Sequence, residues 1–145
     1  MKKILIIEDN LAVSEELALI LQLENYDVTE AKNGVEGFAM AKQIKPDIII
    51  SDINMAGLDG FKVLKAVRNN HATLNIPFIF LTSKADKDSI KLAAETGADD
   101  YLVKPFNPTI LLEIIETQLI ERTSRIVLND LNLTEKTEDI SKAVN

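Results

Sequence analysis

The sequence predicts an α/β fold, a doubly wound parallel β-sheet built from five strand–helix units. Two observations lead to this prediction. Short apolar runs alternate along the chain with segments whose apolar residues have helical spacing. The first, third and fourth runs are apolar almost throughout, which is typical of parallel strands covered by helices on both faces. The connections are short, as right-handed crossovers in such a sheet require.

The first two units come before Pro46. Residues 4–7 form an apolar run that ends at two acids, and the next segment carries helically spaced apolar residues, namely Val13, Leu17, Ile20 and Leu21. Residues 26–29 read as a short second strand. Asn33 is a favourable N-cap for a second helix. We predict that its inward face carries Val35, Phe38 and Ala39.

The third unit begins after Pro46, which interrupts regular structure. Its strand is the apolar run of residues 48–50. Asp59 or Gly60 begins a helix with one apolar side, formed by Phe61, Leu64 and Val67.

The last two units follow the same scheme. The fourth strand, residues 78–81, comes after a proline, and the helix of residues 86–95 stops at Gly97, a common helix-ending residue. Residues 101–103 form the fifth strand. Pro108 lies near the first turn of the last helix, where proline is tolerated.

The composition excludes several classes of protein. The chain has 145 residues and no cysteine, so disulfides, zinc–thiolate sites and thiol catalysis are excluded, and one histidine, His71, cannot build a histidine-rich metal site. The net charge of −7 argues against nucleic acid as the main partner of this segment. No apolar stretch is long enough for a signal peptide or a membrane span, so we expect a cytoplasmic location without membrane contact.

Polar side chains that can take part in chemistry follow the strands, at the points where the strands end. They are Glu8, Asp9, Asp52, Thr82 and Lys104. In a doubly wound sheet this carboxyl edge holds the binding site. Any one acid there is equally well explained as a solvated loop residue or a helix cap, but that explanation does not account for the whole set at one edge.

The set is suited to phosphoryl chemistry on a carboxylate. Three converging carboxylates repel one another, and hard oxygen ligands without histidine or cysteine suit Mg²⁺. A carboxylate such as that of Asp52 can attack phosphorus and form an acyl phosphate. Mg²⁺ and Lys104 would neutralise the negative charge of the transferred group, and the hydroxyl of Thr82 would bond one of its oxygens.

Five motifs in order identify a family. They are residues 7–10 (IEDN), 52–55 (DINM), 58–60 (LDG), 81–83 (LTS) and 97–106 (GADDYLVKPF). With these motifs the chain resembles the receiver domains of bacterial two-component response regulators, including the single-domain chemotaxis type, over about residues 2–121. The resemblance implies a flavodoxin-like sheet with strand order 2-1-3-4-5.

The resemblance also implies roles for individual residues. Asp52 would accept the phosphoryl group. Mg²⁺ would be held by Glu8, Asp9 and Asp52, and by the backbone carbonyl of Asn54. Lys104 would bind the phosphate and precede a cis peptide bond to Pro105.

A further pair would carry the response. Thr82 would be the switch hydroxyl, and Tyr101 would be the aromatic residue that turns inward on activation. Phosphorylation by a sensor histidine kinase or a phosphotransfer protein would then change the face formed by helix 4, strand 5 and helix 5. The chain would be no enzyme beyond catalysing its own phosphorylation and dephosphorylation. One departure from the family is Ala56, where proline is usual.

Two other functions are compatible with an aspartate at the end of a strand in such a sheet. A phosphatase with an aspartate nucleophile on a similar sheet usually has a second aspartate two residues later as its general acid, whereas position 54 is asparagine. A degenerate receiver that binds partners without phosphate would not need the complete set of acids, hydroxyl and lysine. Both alternatives are therefore less well supported than the phosphorylated switch.

We divide the chain into two parts. Residues 1–121 form the receiver domain, and residues 122–145 form a helical extension or a linker to an absent output domain. After Pro108 there is no glycine or proline, which permits one long helix. Residues spaced by three and four suggest a coiled-coil seam through which a homodimer would form: Leu112, Ile115, Leu119, Arg122, Ile126, Asn129 and Leu133. Alternatively, residues 126–128 and 131–133 would begin a strand of an output domain.

Overall fold

The computed structural model describes the backbone of residues 1–144 and the side chains of residues 1–128 and 131. Strands and helices alternate along this part of the chain. The strands are β1 (Lys3–Ile7), β2 (Asp27–Ala31), β3 (Ile48–Ser51), β4 (Phe78–Thr82) and β5 (Asp100–Val103). The helices are α1 (Leu11–Leu23), α2 (Gly34–Ile44), α3 (Gly60–Arg68), α4 (Lys87–Thr96) and α5 (Pro108–Val144).

The strands form one parallel sheet in the order β2-β1-β3-β4-β5, which confirms the predicted doubly wound fold and its strand order. The chain passes from β1 outward to β2 and then returns across β1 to β3. The winding therefore reverses between β1 and β3. This reversal opens a crevice at the carboxyl ends of these two strands, where Ile7 is the register partner of Ser51.

The hydrophobic core forms two layers, one on each face of the sheet. The first joins the strands to α2, α3 and α4 and contains Phe78 and Phe80, whose rings meet edge to face at a centroid distance of 5.1 Å. The second joins the strands to α1 and α5 and contains the fully buried Leu21 and Ile115. Burial of each such side chain contributes about 1.5–3 kcal/mol, so the sheet is held rigidly from both sides.

Side-chain caps begin helices α1 to α4. Each capping oxygen accepts the amide N–H three residues later; the caps are Asn10, Asn33, Asp59 and Asp86. The cap at Asn33 confirms the predicted start of α2. At the other end of α4, Gly97 adopts a φ of 106°, a left-handed conformation that favours glycine.

The predicted inward face of α2 is right for Phe38, which packs against the core, and wrong for Val35 and Ala39. Val35 is 69% exposed and Ala39 is exposed, whereas Gly34 and Gly37 are buried. A Cβ at Gly37 would lie 2.8 Å from Cγ1 of Ile7, so α2 approaches β1 more closely than any larger residue allows. The helix has turned its two glycines toward the sheet, and Val35 consequently faces solvent.

The single helix α5 continues well beyond the body of the domain, and residues 126–128 and 131–133 are helical rather than extended. The predicted coiled-coil seam is nevertheless wrong in its first half. Leu112, Ile115 and Leu119 pack in the domain's own core, and Arg122 donates to the carbonyl of Asp47 at 3.0 Å. The remaining seam positions after Ile126 lie outside the described side chains. Long as α5 is, no helix in the described residues is apolar enough to cross a membrane.

Candidate functional site

The acids after β1 and β3 meet in the crevice where the winding reverses. The amide of Asp52 donates to the carbonyl of Ile7 at 3.1 Å, so the residues that follow the two strands are held side by side. Glu8, Asp9 and Asp52 each present a carboxylate oxygen, and these oxygens all lie within 4.8 Å of one another. The cluster runs from the buried Glu8 through the half-buried Asp52 to the exposed Asp9.

Lys104 brings a positive charge into this cluster from the end of β5. Its amide donates to the carbonyl of Thr82 at 2.8 Å, and the next peptide bond, to Pro105, is cis, as the resemblance implied. The ammonium Nζ lies 2.8 Å from Oε1 of Glu8 and 3.5 Å from Oδ2 of Asp52. The ammonium group of Lys104 therefore forms ion pairs with two carboxylates, and it is closer to Glu8 than to Asp52.

Glu8 has an unusual electrostatic environment. Burial raises its pKa to about 7, an effect that the hydrogen bond from Lys104 opposes and that the nearby charge of Asp52 reinforces. Its second oxygen, Oε2, is buried and has no hydrogen-bond partner among the described residues. A buried carboxylate oxygen without a partner is costly, and a bound cation would compensate for it. The oxygen ligands of this pocket fit a hard divalent cation such as Mg²⁺.

Asp52 is fixed at both its backbone and its side chain. The hydroxyl of Ser51 donates to the backbone carbonyl of Asp52 at 2.8 Å. The amide of Ile53 donates to Oδ1 at 2.7 Å, whereas Oδ2 faces Lys104. One carboxylate oxygen is thus anchored to the backbone, and the other is turned toward the ammonium group. Asn54 lies exposed in the loop that follows.

Thr82 and Tyr101 are both attached to the backbone of Lys84, in the loop before α4. The fully buried Thr82 accepts a long hydrogen bond of 3.4 Å at Oγ1 from the amide of Lys84. The hydroxyl of Tyr101 donates to the carbonyl of the same residue. The ring of Tyr101 packs edge to face against Phe80 at 6.1 Å. The two predicted switch residues therefore both hydrogen-bond to the backbone of Lys84. Tyr101 itself lies outside the acidic cluster.

Sequence reasoning missed two residues that touch the backbone of Asp52. One is Ser51, whose hydroxyl is described above. The other is Gly60, because a Cβ built on it would overlap the carbonyl oxygen of Asp52. Gly60 belongs to one of the motifs quoted for the resemblance, but its role depends on a contact between the start of α3 and the end of β3. No local pattern in the sequence reports such a contact.

Comparison with known proteins gives one family. Residues 4–116 match the family model described as the response regulator receiver domain. Among curated proteins, the chain is similar to the DNA-binding dual master transcriptional regulator RpaA of Synechocystis sp., with 37% identity over 126 residues. That alignment covers 87% of this chain and 52% of RpaA. The chain spans about half the length of the curated relatives it matches.

Solved structures of the same kind resemble it closely. Chemotaxis protein CheY4 of Vibrio cholerae superposes with a TM-score of 0.77 at 34% identity, over 81% of this chain and 98% of CheY4. The receiver domain of sensor histidine kinase PA1611 from Pseudomonas aeruginosa superposes with a TM-score of 0.76 at 27% identity, over 81% and 97% of the two chains. That PA1611 domain was solved with a magnesium ion coordinated in its active-site cleft.

Proposed function

Because this chain belongs to the family of response regulator receiver domains, we propose that Asp52 is the residue on which it is phosphorylated. Members of the family are phosphorylatable signalling switches of two-component systems rather than classical enzymes, and the resemblance read from the motifs is confirmed. The observation that carries the assignment of Asp52 is its position. Its Oδ2 lies beside the ammonium of Lys104, within a cluster of acids at the switch point of the sheet.

The chemistry proposed for Asp52 is nucleophilic attack on phosphorus. Its free carboxylate oxygen forms a P–O bond while the bond from phosphorus to the donor breaks, and the product is an acyl phosphate. Histidine kinases are the partners of this family, so the donor is a phosphohistidine of a sensor kinase or of a phosphotransfer protein. Lys104 balances the negative charge of the phosphoryl group, and Thr82 supplies a hydroxyl for one of its oxygens.

We place a Mg²⁺ site at the same cluster. Glu8, Asp9 and Asp52 would hold the ion together with the backbone carbonyl of Asn54. Two observations support this assignment: the three carboxylates converge, and the buried Oε2 of Glu8 has no hydrogen-bond partner among the described residues. When bound, the ion would neutralise negative charge on the phosphoryl oxygens.

The response would pass through Thr82 and Tyr101. A phosphoryl group on Asp52 attracts the Thr82 hydroxyl, which loosens its long bond to the amide of Lys84. The loop before α4 can then move, and Tyr101 follows because its hydroxyl is bonded to the same residue. The face formed by α4, β5 and α5 changes as a result. Such a switch needs only a two-state element that a local charge change biases.

A phosphatase is the less suitable alternative. It would use the same nucleophile but would need a general acid two residues later, where Asn54 stands. We therefore propose that catalysis is limited to the chain's own phosphorylation and dephosphorylation.

The relatives include proteins named as DNA-binding regulators, but this chain covers only about half of them. Its net charge of −7 supports the proposal that this segment does not itself bind nucleic acid.

The extension of α5 carries exposed apolar residues, among them Val127 and Leu131 at 51% and 55% exposure. We assign them to pairing with a second copy of the chain.

Phosphorylation of Asp52 is tested by treating the protein with Mg²⁺ and acetyl phosphate and measuring intact mass. We expect the wild type to gain one phosphoryl group and Asp52→Asn to gain none, because the amide keeps the shape but lacks the nucleophilic oxygen. Asp59→Asn is the matched control, since asparagine also caps helices and Asp59 lies outside the cluster. Equal modification of Asp52→Asn and wild type would place the acceptor elsewhere.

A further inference from the structure

Gly60, the first residue of α3, lies against the peptide that carries the proposed phosphoacceptor. A Cβ added to Gly60 would overlap the backbone carbonyl oxygen of Asp52. It would also lie 2.8 Å from the Cα of Ile53 and 2.9 Å from Cε1 of the fully buried Phe80. Two of these three neighbours are backbone atoms, and the third is a ring enclosed by the core. None of these atoms can move aside easily to make room for a Cβ, as the end of a flexible side chain could.

Hydrogen bonds tie the same two segments together. The amide of Gly60 donates to the carbonyl of Ile53 at 2.8 Å. On the other side of the acceptor, the hydroxyl of Ser51 donates to the carbonyl of Asp52 at 2.8 Å, and Ser51 is only 1% exposed. The backbone carbonyl oxygen of Asp52 thus accepts a hydrogen bond from Ser51 and packs against the Cα of Gly60, which carries no side chain.

Helix α3 is itself fixed in place, so it cannot move away from the peptide of Asp52. Its first turn is capped by Asp59, which accepts the amide of Lys62 at 2.9 Å. Its inner face carries Val63 and Leu64, both fully buried. A side chain at position 60 would therefore push the loop that begins at Asp52 instead of displacing the helix alone.

From these contacts we infer that Gly60 and Ser51 are positioning residues that hold the peptide of Asp52 at the distance from Lys104 at which its carboxylate reacts. The inference rests on the proposed function, because it concerns the rate at which Asp52 is phosphorylated. Neither residue touches the phosphoryl group. Each acts on the acceptor's backbone, and a displacement of about 1 Å at a reacting group can cost on the order of 100-fold in rate.

Gly34 provides a matched control for crowding. A Cβ at Gly34 would overlap the carbonyl oxygen of Leu58 and lie 2.8 Å from Cγ2 of Val63. Gly34→Ala therefore crowds the far end of the same loop and also strains the fold, but it does not press on Asp52. A loss of stability alone would affect Gly34→Ala and Gly60→Ala alike.

The test measures the phosphorylation rate with acetyl phosphate at saturating Mg²⁺, over a range of donor concentrations, after amide NMR has shown that each variant is folded. For Gly60→Ala we expect the saturating rate to fall by about 100-fold, with the half-saturating donor concentration unchanged and the amide signal of Ile53 shifted. For Gly34→Ala we expect a rate within about 3-fold of wild type, because its Cβ would press on Leu58 and Val63 and not on the peptide of Asp52. Ser51→Ala should be slowed by about 2- to 10-fold, as the loss of one hydrogen bond predicts.

The outcomes separate this inference from the proposed function. If the wild type gains no phosphoryl group, the proposed function fails. If the wild type reacts and Gly60→Ala reacts as fast, or if Gly34→Ala is slowed equally, the positioning role is overturned. If Gly60→Ala does not fold, Ser51→Ala decides the matter, because it removes atoms without adding any, and a wild-type rate for it would overturn the inference.

Discussion

The guanidinium of Arg68 lies 2.8 Å from the carboxylate of Asp99, at the edge of the sheet opposite the acidic cluster. The same Asp99 oxygen accepts the amide of Phe78 at 2.8 Å, which fixes the start of β4. Arg68 also donates to the carbonyls of Ile76 and Gly97, at 2.6 and 2.9 Å. One side chain thereby joins the ends of α3 and α4 to the segments that lead into β4 and β5.

Replacing Arg68 should therefore destabilise the fold. We expect Arg68→Ala to lower the free energy of unfolding by about 2–3 kcal/mol, below the full cost of breaking a buried pair because both side chains are about one-fifth exposed. Arg125→Ala is the control, since Arg125 contacts the same Asp99 at 3.7 Å but is 54% exposed, and its loss should cost less than about 1 kcal/mol. Urea denaturation measures both. Equal losses would mean that the buried bonds of Arg68 contribute little.

Mg²⁺ should stabilise the fold through the acidic cluster. A ligand that binds only the folded state stabilises it by about 2.7 kcal/mol at one hundred times its Kd. Asp9→Ala should remove most of this effect without disturbing the core, because Asp9 is the exposed member of the cluster. Glu24→Ala, an exposed acid at the far end of α1, should retain it. Melting curves with and without millimolar Mg²⁺ provide the measurement, and an unchanged melting temperature for the wild type argues against the metal site.

A phosphoryl mimic should reach the loop before α4. With beryllofluoride and Mg²⁺, amide NMR signals of residues 84–88 and of Tyr101 should shift, because Thr82 and Tyr101 are both bonded to Lys84. In Thr82→Ala the hydroxyl is lost, so the shifts should stay near the acidic cluster. Wild-type shifts confined to that cluster would contradict the switch.

Self-association should depend on the exposed part of α5. We expect the chain to form a dimer at high micromolar concentration, and a chain ending at Arg122 to be monomeric. The double variant Val127→Glu, Leu131→Glu should also be monomeric while keeping its fold, because both side chains are exposed in one copy. Thr123→Glu, another exposed position on α5, is the control for added charge. Light scattering decides, and a monomeric full chain would refute the pairing.

The site shows how far motif reasoning extends. Glu8, Asp9, Asp52 and Lys104 could be placed at one edge because parallel strands end at the same side of a sheet. Which carboxylate the ammonium approaches more closely could not be predicted. Lys104 and Glu8 are 96 positions apart, and their 2.8 Å contact depends on the packing of the four helices and four strands between them. The contact of Gly60 with Asp52 could not be predicted either, because it depends on how the start of α3 packs against the end of β3.

The sequence by itself determined the succession of strands and helices, the starts of α2 and α3 and the acids at the crevice, because these depend on local periodicity, on capping chemistry and on strand ends. Only the tertiary structure decided how each helix is rotated about its axis. Gly37 turns α2 toward Ile7 and leaves Val35 in solvent, and the apolar residues in the first half of the predicted seam on α5 pack against the domain's own core. Apolar spacing marks a helix face only within about one residue. The final rotation is set by how closely two backbones can approach, and that depends on residues far apart in the chain.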